Sequence, residues 1–484
     1  MPSDYGIGCF SKAAYDFVDF LKRAGQSYWQ ILPLCPTGFG DSPYQSFSTF
    51  AGNPYMISLE SLKEENLITR DECDSLDFGN DETTVDYEKQ FNNRFTLLNK
   101  AFERSKLLGN MNYDKFVAEN SFWLEDYAFF MALKYKFSQK SWNKWDHDIK
   151  KREEAAIMRY KTELKNQILF WKFVQFKFYE QWKRLKDYAN QNGISIIGDI
   201  PIYVSFDSSD VWANPHLFEL DGSLMPISVA GCPPDGFSKT GQLWGNPLYC
   251  WDEHKKEDYS WWCRRMEFAY KIYDVVRLDH FRGFDEYYSI PYPSPDAVNG
   301  KWRKGPGAEL FKKIYEKTQK RSIIAEDLGF VTETVKEMLI ECGFPGMKVL
   351  EFAFDERDTG ISGDYIPHNY PLNSVAYTGT HDNQTLSSWF ETISDKERTN
   401  VRKYLCDQYT PNNKIHLPLI ALVMRSSSCL CIIPMQDWLG LGDDARINTP
   451  ATTGNNWRWR IDDDMLTHSL AEEIKEMTEI FGRI

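Results

Sequence analysis

The 484-residue chain has no long hydrophobic run. Its longest apolar stretch, LPLIALVM at Leu417 to Met424, is far shorter than the roughly 20 residues a bilayer-crossing helix needs. No membrane span is therefore expected. The opening MPSDYGIGCFSK carries neither a basic nor an apolar region, so no signal peptide is expected and the cytoplasm is the expected location. Ten cysteines include no CxxC pair, which suits buried, reduced thiols better than a disulfide framework or a zinc ribbon. Eight histidines form no HExxH, so no catalytic zinc is expected. Positive charge is in deficit: 56 Lys and Arg against 70 Asp and Glu leave a formal net charge of −14. Phosphate backbones and anionic membranes are poor partners for such a surface. There are no solenoid repeats and no low-complexity tails.

What is present is an ordinary globular composition, 42% hydrophobic and 26% charged, with an excess of rings: 15% aromatic, including 16 Trp and 26 Tyr. Such rings fill cores and also stack on flat, neutral ligands. SYWQILPL at Ser27 to Leu34 reads as a buried strand, and the loop after it, PTGFGDSPYQSFSTFAGNPY, is long enough to be functional. From about Thr84 to Gln191 the spacing turns helical. Phe170, Val174, Phe178, Trp182 and Leu185 mark one amphipathic helix whose stripe is core packing. GISIIGDIPIYV, VVRLDHF, SIIAEDLG, MKVLEFAF and NSVAYTGTHDN are apolar runs ending in polar residues, with helical stretches such as Glu309 to Gln319 and Thr332 to Cys342 between them. Alternating β and α with polar strand ends predicts an α/β fold, a (β/α)8 TIM barrel. The predicted organisation is one barrel domain over 1–484. A mainly helical insertion occupies 60–165, and a loop-rich insertion bearing a lid occupies 205–260.

Three strand ends carry carboxylates: Asp279, Glu326 and Asp382. Each alone reads most simply as a structural acid. Together they converge, because the C-terminal strand ends of a barrel meet at one face. Two carboxylates about 5–5.5 Å apart serve a retaining glycosidase-type reaction, one as nucleophile and one as acid and base. Arg277 shares a strand face with Asp279 and is expected to keep it ionised. Glu326 has to start protonated, which asks for a less polar setting or neighbouring acids. Asp382 and His381 are then free to hold sugar hydroxyls.

The set LPLCPTGFGDSPYQSFSTFAGNPY, GDIPIYV, PPDGFSKTGQLWGNPLYCWD, VVRLDHFRGF, IIAEDLG, YTGTHDN and GNNWRWR resembles the amylomaltases, 4-α-glucanotransferases also called disproportionating enzymes. Seven motifs in register run from the N-terminus to about Arg460. The resemblance implies Asp279 as nucleophile, Glu326 as acid/base and Asp382 as the acid stabilising the transition state, with Arg277 and His381 beside them. It places Tyr44, Asp235, Gln242, Trp244 and Asn246 along a glucan groove. It implies no cofactor and no metal. The implied partners are maltooligosaccharides, other α-1,4-glucans derived from starch or glycogen, and glucose as acceptor.

Asp199 in GDIP is expected to order a strand end rather than touch sugar, and His280 to bond a neighbouring loop. Trp457 and Trp459 alternate, so one of them should face the groove. Gly236, Phe39 and Gln384 depart from residues common in the family, which bears on product range rather than on chemistry. The competing reading is an α-amylase-like hydrolase with the same acids. Such enzymes generally add a C-terminal β-sandwich, for which the segment after WRWRID leaves no room. A non-enzymatic carbohydrate-binding barrel would not require the full acid set and its arginine.

Overall fold

The computed structural model describes residues 1–79, 81–234, 238–319, 321–329, 331–355 and 362–484. Its strands are β1 (Tyr28–Gln30), β2 (Ser195–Ile200), β3 (Ser228–Cys232), β4 (Gln242–Pro247), β5 (Val275–Leu278), β6 (Glu286–Pro291), β7 (Lys301–Lys304), β8 (Ile323–Ala325), β9 (Gly346–Val349), β10 (Ser374–Tyr377) and β11 (Leu430–Ile432). Seven of them pair in parallel in the order β1-β2-β5-β8-β9-β10-β11. The other four form an antiparallel sheet, β4-β3-β6-β7.

The parallel strands obey a two-residue alternation, and it explains the site. One set of side chains, Val276 and Leu278 on β5 and Ile196 and Ile200 on β2, packs outward into the main core shared with the helices. The opposite set, Ile197, Ile324, Met347, Val349, Val375 and Tyr377, forms a separate apolar cluster inside the sheet's curve. Two residues further along the same inward face come Asp199, Arg277 and Glu326, so an apolar layer is capped by a charged one at the strands' C-terminal ends. Gly198 permits this geometry, since a Cβ there would lie 2.2 Å from the Tyr273 ring.

This is a (β/α)8-type barrel with seven laddered strands instead of eight. Among the described residues no ladder joins β11 to β1, and a cavity of about 580 Å³ runs along that seam. Trp29, Ile31, Cys431, Ile433 and Ile474 line it, and Asp199 and His381 border it as well. Across the seam the Tyr377 hydroxyl donates to Gln30 Oε1 at 2.9 Å.

Helices fill the stretch between β1 and β2, among them Phe95–Arg104, Met111–Glu119, Ser121–Lys136 and Lys165–Gln191. The predicted stripe on the last of these is buried along its length. The apolar stretch at Leu417 to Met424 falls in helix His416–Met424, and no described helix is long and apolar enough to cross a membrane. MKVLEFAF is a strand only as far as Val349, then a 3-10 turn over Leu350–Phe354. Beyond β11 the described residues form the short helix Met435–Trp438, turns and the helix His468–Ile480, with no strand and hence no sandwich. The expected burial of the thiols holds for Cys9, Cys73 and Cys263, whereas Cys406 and Cys429 are exposed.

Candidate active site

Arg277 is the centre of the charged layer. It is 3% exposed, and its Nη1 donates to Asp199 Oδ2 at 2.6 Å and to Asp279 Oδ1 at 3.0 Å. Its Nη2 lies 3.8 Å from Glu326 Oε2. One guanidinium therefore organises three carboxyl groups from three adjacent strands. Asp199 is its closest partner, because parallel pairing sets Asp199 against Arg277 in register. The expectation that Asp199 merely orders a strand end is too narrow. Its Oδ2 also accepts from the Tyr44 hydroxyl at 2.8 Å, so it ties the long loop after β1 to the floor of the site.

The chain turns sharply after Asp279. His280 sits in the left-handed region at φ 50°, and its backbone N–H donates to Glu326 Oε2 at 2.5 Å. The His280 ring stands edge-on to Trp244 at 4.8 Å. Burial pushes that imidazole down to about 4, so it is neutral at neutral pH.

The two central acids differ in protonation. Burial pushes Asp279 up to about 6, although Arg277 opposes the shift. Arg277 acts in the expected direction, toward the ionised carboxylate, but desolvation outweighs the neighbouring cation in the net shift. Glu326 is pushed up to about 8, first by burial and then by the negative charge of Asp279. Burial alone would weaken Arg277 as a cation, but Asp199 and Asp279 outweigh it and hold its pKa well above the ordinary value. Between about pH 6 and 8 the site holds an ionised Asp279 beside a protonated Glu326. An ionised and a protonated carboxyl side by side at one barrel mouth are chemically able to serve as nucleophile and proton donor.

Asp382 occupies the outer wall. His381 Nε2 lies 3.4 Å from its Oδ1, Asn448 Nδ2 donates to the same oxygen at 2.6 Å, and Arg446 holds its carbonyl at 2.7 Å. Its side chain is 47% exposed, open to an incoming ligand. The Tyr44 and His381 rings stack at 5.1 Å, with Trp457 5.7 Å from each. Trp459 points elsewhere and lines the seam cavity, so the alternation of the two tryptophans separates their surroundings.

The remaining expected groove residues divide. The Trp244 indole donates to Gln242 Oε1 at 3.0 Å, and both lie on β4 beside His280. Asn246 is buried, and its amide is spent on the Val204 carbonyl at 2.9 Å and on Gln45 at 3.1 Å. It shapes the wall from behind. Asp235 and Gly236 lie outside the described residues. Phe39 is 80% exposed, and Gln384 contacts Asp443 and Thr392 at the surface. Among the described residues no cluster of three or more His, Cys, Asp or Glu side chains is placed to hold a metal ion.

The comparisons with known proteins agree with this geometry. The family model Glyco_hydro_77, described as 4-alpha-glucanotransferase, matches residues 1–467. The chain belongs to the 4-alpha-glucanotransferase family. It is 49% identical over 485 residues to the 4-alpha-glucanotransferase of Clostridium butyricum, covering all of this chain and 99% of that one. It is 43% identical over 493 residues to the Thermus thermophilus 4-alpha-glucanotransferase, covering all of this chain and 97% of that one. Among solved structures, the amylomaltase from Streptococcus agalactiae in complex with acarbose superposes with a TM-score of 0.95 at 43% identity, covering 100% and 97% of the two chains. The protein is accordingly a 4-alpha-glucanotransferase, and the amylase-like reading gives way to it.

The charge states of this 4-alpha-glucanotransferase make a pH prediction. If the reaction uses an ionised Asp279 and a protonated Glu326, kcat/KM should rise with pH through about 6 and fall through about 8. Initial transfer rates across that range check it. A rate that keeps rising well beyond the Glu326 limb would contradict the assignment.

Proposed function

We propose that the transfer proceeds with retention through a covalent glycosyl intermediate on Asp279. The observation that carries this reading is the single Arg277 guanidinium reaching both Asp279 and Glu326, with Arg277 limiting the rise of Asp279 to about 6 while burial and the Asp279 charge push Glu326 up to about 8. Asp279 attacks the anomeric carbon of an α-1,4-glucan as the C1–O4 bond breaks, and the Glu326 proton passes to the departing O4. Glu326, now a carboxylate, takes the proton of an acceptor 4-hydroxyl, which attacks C1 and releases Asp279. Asp382, braced by His381 and Asn448, holds hydroxyls of the sugar as it flattens. Tyr44, Gln242, Trp244 and Trp457 supply the walls of the groove. Donors are maltooligosaccharides and other α-1,4-glucans, acceptors include glucose, and the reaction belongs in the cytoplasm.

Transfer and hydrolysis share the intermediate and differ in which hydroxyl resolves it. An acceptor sugar held against the aromatic wall gains the large effective concentration of a positioned reactant, which lets it outcompete water. Fed maltotriose alone, the enzyme should make glucose and a ladder of longer oligosaccharides with a nearly constant count of reducing ends. A count climbing in step with glucose release would show hydrolysis instead.

A further inference from the structure

The loop that carries His381 and Asp382 is held by two buried acids, Asp437 and Glu351. It leaves β10 at Thr378 and enters helix Leu386–Thr392 seven residues after Gly379. The two ends of this loop meet one carboxylate. Asp437, 2% exposed, accepts the Thr378 hydroxyl on Oδ2 at 2.5 Å and the Leu386 backbone N–H on Oδ1 at 2.8 Å. Under the middle of the loop lies Glu351, 7% exposed, whose Oε2 accepts from Asn383 Nδ2 at 3.2 Å. Asn383 Oδ1 in turn accepts from the Thr380 N–H at 3.0 Å and its hydroxyl at 2.9 Å, and the Asp382 N–H donates to that hydroxyl at 3.3 Å. Gly379 fits this bracket closely, since a Cβ there would lie 2.8 Å from Glu351 Oε1.

We propose that Asp437 is a positioning residue for the transfer reaction: by clasping Thr378 and Leu386 it fixes where Asp382 meets the substrate. This rests on the role given to Asp382 above. A carboxylate can accept at both oxygens at once, whereas an amide offers one acceptor and would turn a donor toward a donor. Asp437 comes from helix Met435–Trp438, directly after β11, so the clasp also couples the last two strands of the sheet. A displacement of about 1 Å at a reacting group costs on the order of 100-fold in rate.

The test pairs two substitutions at one buried site. Thr378→Val keeps the shape of the side chain and removes the hydroxyl that Asp437 holds. Thr378→Ser keeps the hydroxyl and loses only a methyl group. With both proteins shown to be folded by circular dichroism, Thr378→Val should lose about 100-fold in kcat. Its donor KM should stay within about twofold, since an interaction made in the transition state is the one lost. Thr378→Ser should keep its rate, and Asp437→Asn should follow Thr378→Val if it folds. A folded Thr378→Val turning over like Thr378→Ser would overturn the proposal, as would a Thr378→Val defect confined to KM. Glu326→Gln, assayed alongside, separates the two levels of the account. If it is inactive while Thr378→Val is normal, only the positioning role falls; if it is fully active, the assignment of the acids falls.

Discussion

Glu326→Gln is expected to cut transfer from maltooligosaccharide donors by about 10²- to 10⁴-fold, the usual worth of a positioned general acid. The substitution is well suited to isolating that one function. Glu326 is the group pushed up to about 8, so at neutral pH it is already uncharged and glutamine preserves the charge of the site. The amide oxygen can still accept the His280 N–H that Glu326 Oε2 accepts now. What disappears is the proton for the departing O4. The loss in the first, glycosylating step should therefore depend on the leaving group, large for a sugar and small for fluoride, which departs without protonation. The alkaline limb of the pH profile should vanish as well. Single-turnover rates of leaving-group release from maltotriose and from maltosyl fluoride check the first point and the pH profile the second, and an equal loss for the two donors in that step would contradict a role in proton donation.

Asp279→Asn should be the more damaging change, on the order of 10⁴- to 10⁶-fold, because no later step can proceed without the nucleophile. The fold should survive it. Arg277 keeps its shorter ion pair to Asp199 at 2.6 Å, so the buried guanidinium is not left alone, and the Tyr44 link to Asp199 is untouched. Removing a carboxylate whose pKa is raised by burial also relieves a desolvation cost. Thermal unfolding close to wild type together with a lost rate is the expected pair of results. A variant that transfers glucans at a tenth of the wild-type rate or better, by the same scale of effects, would remove Asp279 from the nucleophile's role.

The parts of this site legible in the sequence are those set by the strand's own period. Arg277 and Asp279 are two residues apart after an apolar run, so their shared face and their ion pair follow from local spacing alone. Glu326 after SIIA is legible for the same reason. Asp199 was not, because its importance depends on β2 lying beside β5, a matter of sheet order between residues 78 apart in sequence. Asn448 and Arg446, which brace Asp382, come from a loop more than 60 residues downstream and carry no local signal. Asp437 was missed although it follows an apolar strand, since a short buried acid reads as structural until the loop it clasps is seen. The balance of charges was also out of reach. Spacing places Arg277 beside Asp279, but only the depth of the pocket reveals that desolvation outweighs the cation. Likewise, the pattern of apolar runs points to a barrel without disclosing that the β11–β1 seam carries a cavity in place of a ladder.

The measurement that bears most directly on retention through Asp279 is capture of the intermediate. Glu326→Gln given maltosyl fluoride should form the glycosyl-enzyme, because fluoride leaves unaided, and then stall, because no base remains to activate the acceptor hydroxyl. Intact-protein mass spectrometry should show a gain of one maltosyl unit, and peptide mapping should place it on Asp279. Consumption of the fluoride with no adduct, or an adduct on Asp382 or Asp199, would contradict the mechanism.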